Sequence, residues 1–263
     1  MTGALEPPQE GRAGLRGLLR DLVSFDRRAA VILVYVPVAL TLMEYVFLPE
    51  SRWRRPIPEW TRNLIRDLRA RFPDVPADLM PWLWWGAGCL TVLVVVPMIL
   101  LRLLAKTGPR ETGLRVRGTG RDALVYLLLY VVFVPVVWLV SMRPDFRATY
   151  PFYPRAPRAI GWDFVAFEAV YFLQFLSVEY FFRGFMTLGL KPALGRASVL
   201  VMLAPYCMIH FHKPMLEALG AIGAGLVLGA LAWRTRTVVY GWFLHYAVAL
   251  TMDLLSLSQS GRL

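Results

Sequence analysis

The sequence predicts an all-α fold, a polytopic transmembrane bundle of about six to eight membrane helices with amphipathic helices at the interface. Three observations predict it. Hydrophobic residues make up 57% of the 263 positions and charged ones only 18%, where a soluble domain carries about a quarter. The apolar residues gather in runs long enough to cross a bilayer. The net charge of +11 is almost all arginine, with lysine only at Lys106, Lys191 and Lys213, and the arginines cluster between those runs, where lipid head groups attract them. Nucleic-acid binding would need a contiguous basic face on a soluble fold, and it is set aside.

Taken in order, residues 1–28 form a basic interfacial segment. Arg12, Arg16 and Arg20 recur every four residues, with Leu15, Leu18, Leu19 and Leu22 on the other side of a short helix. The first apolar run begins near Ala29 and lacks a small-x-small exit, so it is expected to remain as a first helix, Ala29–Leu48, rather than as a cleaved signal. It contains Pro37, tolerable in a membrane helix, and Glu44, expected to reach the interface. Residues 49–80 are charged, with Trp60, Leu64, Leu68 and Phe72 at helical spacing, which predicts an interfacial helix. The second span, Pro81–Leu104, opens on Trp82, Trp84 and Trp85, an aromatic belt. A basic, glycine-containing loop leads to the third span, Ala123–Val140.

Residues 141–161 hold Pro144, Pro151, Pro154 and Pro157 among aromatics and read as an irregular loop hugging the interface. That composition break separates an N-terminal transmembrane region, 29–161, from a core at 162–257 and a tail at 258–263. The core holds a long fourth span, Trp162–Leu190, and a short segment, Ser198–Phe211, ending in His-Phe-His-Lys-Pro. A sixth element, Met215–Trp233, carries Ala221, Gly225 and Gly229 in a line that lets another backbone approach closely. The seventh is Val238–Leu257. Cys89 and Cys207 have no metal-ligand spacing and read as small buried hydrophobes.

The polar residues that enter this apolar core carry the functional reading. Glu179 and Arg183, four residues apart, share one helix face, and an intramembrane acid and base are costly enough to mark a site. Two readings stand level on residue chemistry: a buried ion pair that pins helices, or a glutamate that activates water. His210 and His245, on later elements, shift the balance, one as base or ligand and one as donor to an oxyanion. His212, beside Lys213-Pro214, reads as a boundary residue. Glu168, about three turns before Glu179, lies on nearly the same face. Glu217 and Asp253 are supporting candidates, the latter read as an end-of-helix group. Tyr180, Phe181 and Phe182 read as packing. Glu179, His210 and His245 could also hold Zn²⁺ with a water in the fourth position, but the ligands would come from three separate helices, so the metal-free arrangement ranks ahead and no cofactor is expected.

From Trp162 to Leu257 the chain resembles the CPBP family of intramembrane proteases, which includes the type II CAAX prenyl proteases. The family pattern is Glu-Glu-x-x-x-Arg, an aromatic-x-x-x-His and His-x-x-x-Asn on successive helices. Here these stand as Val178-Glu179-Tyr180-Phe181-Phe182-Arg183, Tyr206-Cys207-Met208-Ile209-His210 and His245-Tyr246-Ala247-Val248-Ala249. The resemblance implies metal-free water activation by Glu179 and His210, an oxyanion contact from His245, and Arg183 steadying Glu179. Two positions depart: Val178 replaces the first glutamate, and Ala249 replaces the asparagine.

The function so implied is an intramembrane endopeptidase acting on a membrane-anchored protein or peptide, integral to a lipid bilayer, expected to be a bacterial inner membrane. The alternative is a non-catalytic scaffold or immunity protein that keeps the fold, motivated by Val178 and Ala249. A transporter would need an internal repeat or paired broken helices, and the halves show none.

Overall fold

A computed structural model of the chain describes residues 26–49, 56–116, 120–153 and 160–261. The basic helix expected around Arg12–Arg20 lies outside the described residues. Among those residues the structure is helical with no strands, as the composition requires. The elements are α1 (Arg27–Phe47), α2 (Glu59–Arg71), α3 (Met80–Leu104), α4 (Gly120–Ser141), α5 (Pro144–Thr149), α6 (Trp162–Leu194), α7 (Ala197–Met208), α8 (Met215–Thr235) and α9 (Val239–Gln259).

Five of these, α1, α3, α4, α6 and α8, are long and apolar enough to cross a membrane. Helix α9 has the length, 21 residues, but His245, Thr251, Asp253, Ser256 and Ser258 dilute its apolarity. Helix α7 is apolar but ends at Met208, earlier than expected, so His210 sits in the following turn rather than on the helix. Its carbonyls at Pro205 and Cys207 are closed by the backbone amides of Ile209 and His210, which tighten the chain out of the helix. Three helices widen locally to π geometry: α1 over Met43–Phe47, α3 over Thr91–Val95 and α6 over Tyr180–Leu188. Such widenings recur at functional sites.

Helix α6 is the axis of the bundle. Of its most apolar stretch 56% is buried, against 11% for α4, whose Leu127, Leu128, Val131, Val132 and Leu139 point outward as lipid-facing residues must. Helix α3 packs on α6, α4 on α9, and α7 on α8. The small-residue line of α8 has the expected use. A Cβ at Gly225 would lie 2.7 Å from Leu203 and 2.9 Å from Tyr206, and one at Gly229 would lie 2.8 Å from Val199, so only glycine lets α7 come this close.

Both connectors hold helices of their own. In α2 Ile65 is buried, while Trp60 and Phe72 are 56% and 48% exposed, because Ile57, Ile65 and Met80 form a small core of their own. The helix thus turns Ile65 and Leu68 toward that core and leaves the two aromatic rings outside, as the expected interfacial helix would. The proline-rich connector is not wholly irregular: it begins with α5, and then drives Phe152 and Tyr153 into the bundle. There Trp82 meets Phe152 and Phe167 edge-on, at ring distances of 5.4 and 5.1 Å. One hydrophobic core runs from Ile32 through Phe152 to Leu257 and includes both sides of the composition break.

Candidate active site

Glu179 closes the regular part of α6, one residue before the π segment, and is 1% exposed. Its Oε1 is 3.2 Å from Arg183 Nη1, so the pairing read from the four-residue spacing is present. The same oxygen accepts from His245 Nδ1 at 2.9 Å, a contact between α6 and α9 that spacing cannot reveal. Its Oε2 has no hydrogen-bond partner and faces Gly241 of α9, where a Cβ would lie 2.7 Å away. Gly241 is therefore the residue that admits the carboxylate beneath His245. The Arg183 side chain is fully buried, with its guanidinium carbon 4.0 Å from the centre of the Tyr206 ring.

Tyr206 joins the two imidazoles. Its ring is 5.0 Å from that of His210 and 6.4 Å from that of His245. Its backbone carbonyl accepts from His210 Nδ1 at 2.9 Å. Partner chemistry then fixes both tautomers. A carbonyl only accepts, and a carboxylate beside arginine accepts, so both Nδ1 atoms carry hydrogen and each ring, when neutral, offers a lone pair at Nε2. His210 stands past the end of α7, and burial together with the Lys213 ammonium pushes its pKa down to about 3, keeping it neutral.

His210 and His245 line one cavity, between α1, α3, α6 and the turn after α7. The face that α6 gives it is Tyr171, Gln174, Phe175, Val178 and Phe182, which recur at helical spacing. Val178, not Glu179, is on that wall, since one residue rotates a helix by about 100°. Glu179 stands behind, reaching the cavity only through His245. Among the described residues the carboxylate on the wall is Glu44 of α1, whose Oε1 is 3.2 Å from His212 Nε2, also on the wall. Glu44 thus contributes to the cavity wall.

The supporting candidates lie elsewhere. Glu168 accepts from the Tyr246 hydroxyl at 3.2 Å. Asp253 is fully buried inside α9, not an end-of-helix group, and accepts the Phe152 amide at 2.9 Å, anchoring the proline-rich connector. Glu217 begins α8, where Lys213 Nζ at 2.7 Å and the Tyr150 hydroxyl at 2.8 Å hold it. These three bind helices and loops to one another and are not on the cavity wall. Among the described residues no three His, Cys, Asp or Glu side chains are grouped to hold a metal ion. Sequence reasoning missed Gln174, although it is four residues before Val178 and therefore on the cavity face.

Residues 160–251 match the family model described as type II CAAX prenyl endopeptidase Rce1-like. The resemblance stated from the three motifs is borne out over that segment, which contains Glu179, Arg183, His210 and His245. No curated protein and no solved structure matches the chain.

Proposed function

We propose that this protein is an intramembrane endopeptidase that hydrolyses a peptide bond of a membrane-anchored protein or peptide, using imidazoles rather than a bound metal to activate water. The observation that carries the reading is the Glu179–His245 contact behind a cavity that His210 shares. A carboxylate on Nδ1 holds an imidazole in the tautomer that accepts a proton at Nε2 and stabilises the cation that results. The water oxygen bonds to the scissile carbonyl carbon as His245 Nε2 takes one of its protons. His210 Nε2 accepts a hydrogen bond from the other O–H and aims the lone pair. The C–N bond then breaks, and the imidazolium returns its proton to the departing amine. Glu179 is thus a positioning residue, and Arg183 fixes Glu179. The finer setting, a bacterial inner membrane and terminal segments of exported proteins as substrates, rests on the family likeness alone.

One observation favours a second reading, a non-catalytic scaffold or immunity protein: Val178 makes the cavity wall apolar where a carboxylate would face water. The two readings part in one experiment. Purified protein in lipid vesicles, with a chelator present, is expected to cleave anchored peptides, and His245→Ala and His210→Ala are each expected to lower the rate by at least about 10³-fold, to a small residual level, while leaving thermal unfolding in place. Cleavage by His245→Ala at close to the wild-type rate ends the proposed mechanism. A biological phenotype untouched by His245→Ala, with abundance falling in Glu179→Gln, selects the scaffold.

A further inference from the structure

Hydrolysis of an amide needs a donor for the oxygen that becomes negatively charged, and the two imidazoles do not supply one in the resting site. Their protons are committed to the Tyr206 carbonyl and the Glu179 carboxylate, so both present acceptors to the cavity. His245 becomes a donor only after it has taken the proton of the water, and it then needs that proton for the leaving group. The wall must supply a donor that is in place beforehand. Lys213 is on the wall, but its ammonium is held by Glu217 at 2.7 Å.

Gln174 remains. It lies on the cavity face of α6, four residues before Val178 and one before Phe175, whose ring packs 4.5 Å from that of His245. Its amide oxygen is buried and has no hydrogen-bond partner. A buried amide oxygen without a partner costs stability, and such atoms are rare unless a ligand or catalytic role retains them. A side-chain amide matches a peptide bond in polarity: its NH₂ donates to a carbonyl oxygen, and its own oxygen accepts a backbone N–H. We propose that Gln174 is a catalytic residue of this cavity, donating from Nε2 to the scissile carbonyl oxygen and its oxyanion, while Oε1 accepts an N–H of the bound peptide. The assignment rests on the hydrolytic reading above, and deepens it. It gives the site a donor from α6 although position 249 of α9 is alanine.

The test uses the full chain in detergent, two probes and the near-isosteric Gln174→Met, with Gln174→Glu as a second variant. The probes are an apolar membrane-anchored peptide and the same peptide with its central amide replaced by a phosphinate, a tetrahedral anion. Removal of one oxyanion donor is expected to lower kcat by about 10²–10³ with little change in KM. The wild type is expected to bind the phosphinate more tightly than the amide, and Gln174→Met to lose that preference. Unfolding temperatures within a few degrees of wild type establish that the variants are folded. If Gln174→Met cleaves at the wild-type rate while His245→Ala does not, the donor assignment is overturned and the hydrolytic reading stands. If the wild type cleaves nothing but shows a phosphinate preference that Gln174→Met abolishes, the assignment stands as an anion-binding amide and hydrolysis falls. Absence of both cleavage and preference overturns both.

Discussion

One oxygen of Glu179 serves two nitrogens, and that sharing sets the local energetics. Arg183 is fully buried and its nitrogens lack aligned acceptors, so the glutamate is the group that keeps its charge tolerable. Removing one partner leaves the other charge stranded in a dry interior, at a cost of about 3–5 kcal/mol, whereas replacing both is far cheaper. Glu179→Gln and Arg183→Met should each lower the unfolding temperature sharply, and the double variant should recover most of the loss. Calorimetry in detergent checks this, and additive losses would show that the pair is not coupled. The Glu179–Arg183 half of the arrangement was legible in the sequence, because four residues on a helix is a local distance. The His245 half was not, since 66 positions separate the partners and only packing joins them. Gln174 was legible in principle from its spacing to Val178, but an uncharged amide in an apolar helix gives no signal until the cavity face is known.

At the scale of elements, two glycines decide how closely helices meet around the site. Gly241 lets α9 lie against the Glu179 carboxylate, and Gly225 lets α8 press on Tyr206, which carries His210. Gly241→Ala should displace the carboxylate from His245 and lower kcat by about 100-fold, as a small misplacement of a catalytic group does, with the fold retained. Steady-state cleavage rates check this, and an unaltered kcat would mean that the carboxylate does not act through that approach. The helices themselves were read within a few residues at most ends because apolar runs have lengths that a bilayer sets. The exceptions have local causes. Helix α7 stops short where backbone amides turn back on its last carbonyls, and α5 forms in a connector whose prolines suggested none, with Pro144 at its first turn, where a missing N–H costs nothing.

Over the whole molecule, the site is not confined to the segment that matches the family. Leu40, Met43 and Glu44 of α1 and Trp85, Cys89 and Leu93 of α3 form one side of the cavity, and all lie before residue 160. Charge and hydropathy placed these helices in the membrane but could not dock them, because lipid-facing and protein-facing apolar residues look alike in sequence. The proposed mechanism requires Glu179 to act through His245 rather than on water directly. A double-mutant cycle in kcat, with Glu179→Gln, His245→Ala and the two combined, in chelator, tests that most directly. If the carboxylate works only by holding the imidazole, the double variant will be no slower than His245→Ala alone. Losses that multiply would contradict the account and put the carboxylate in the chemistry on its own.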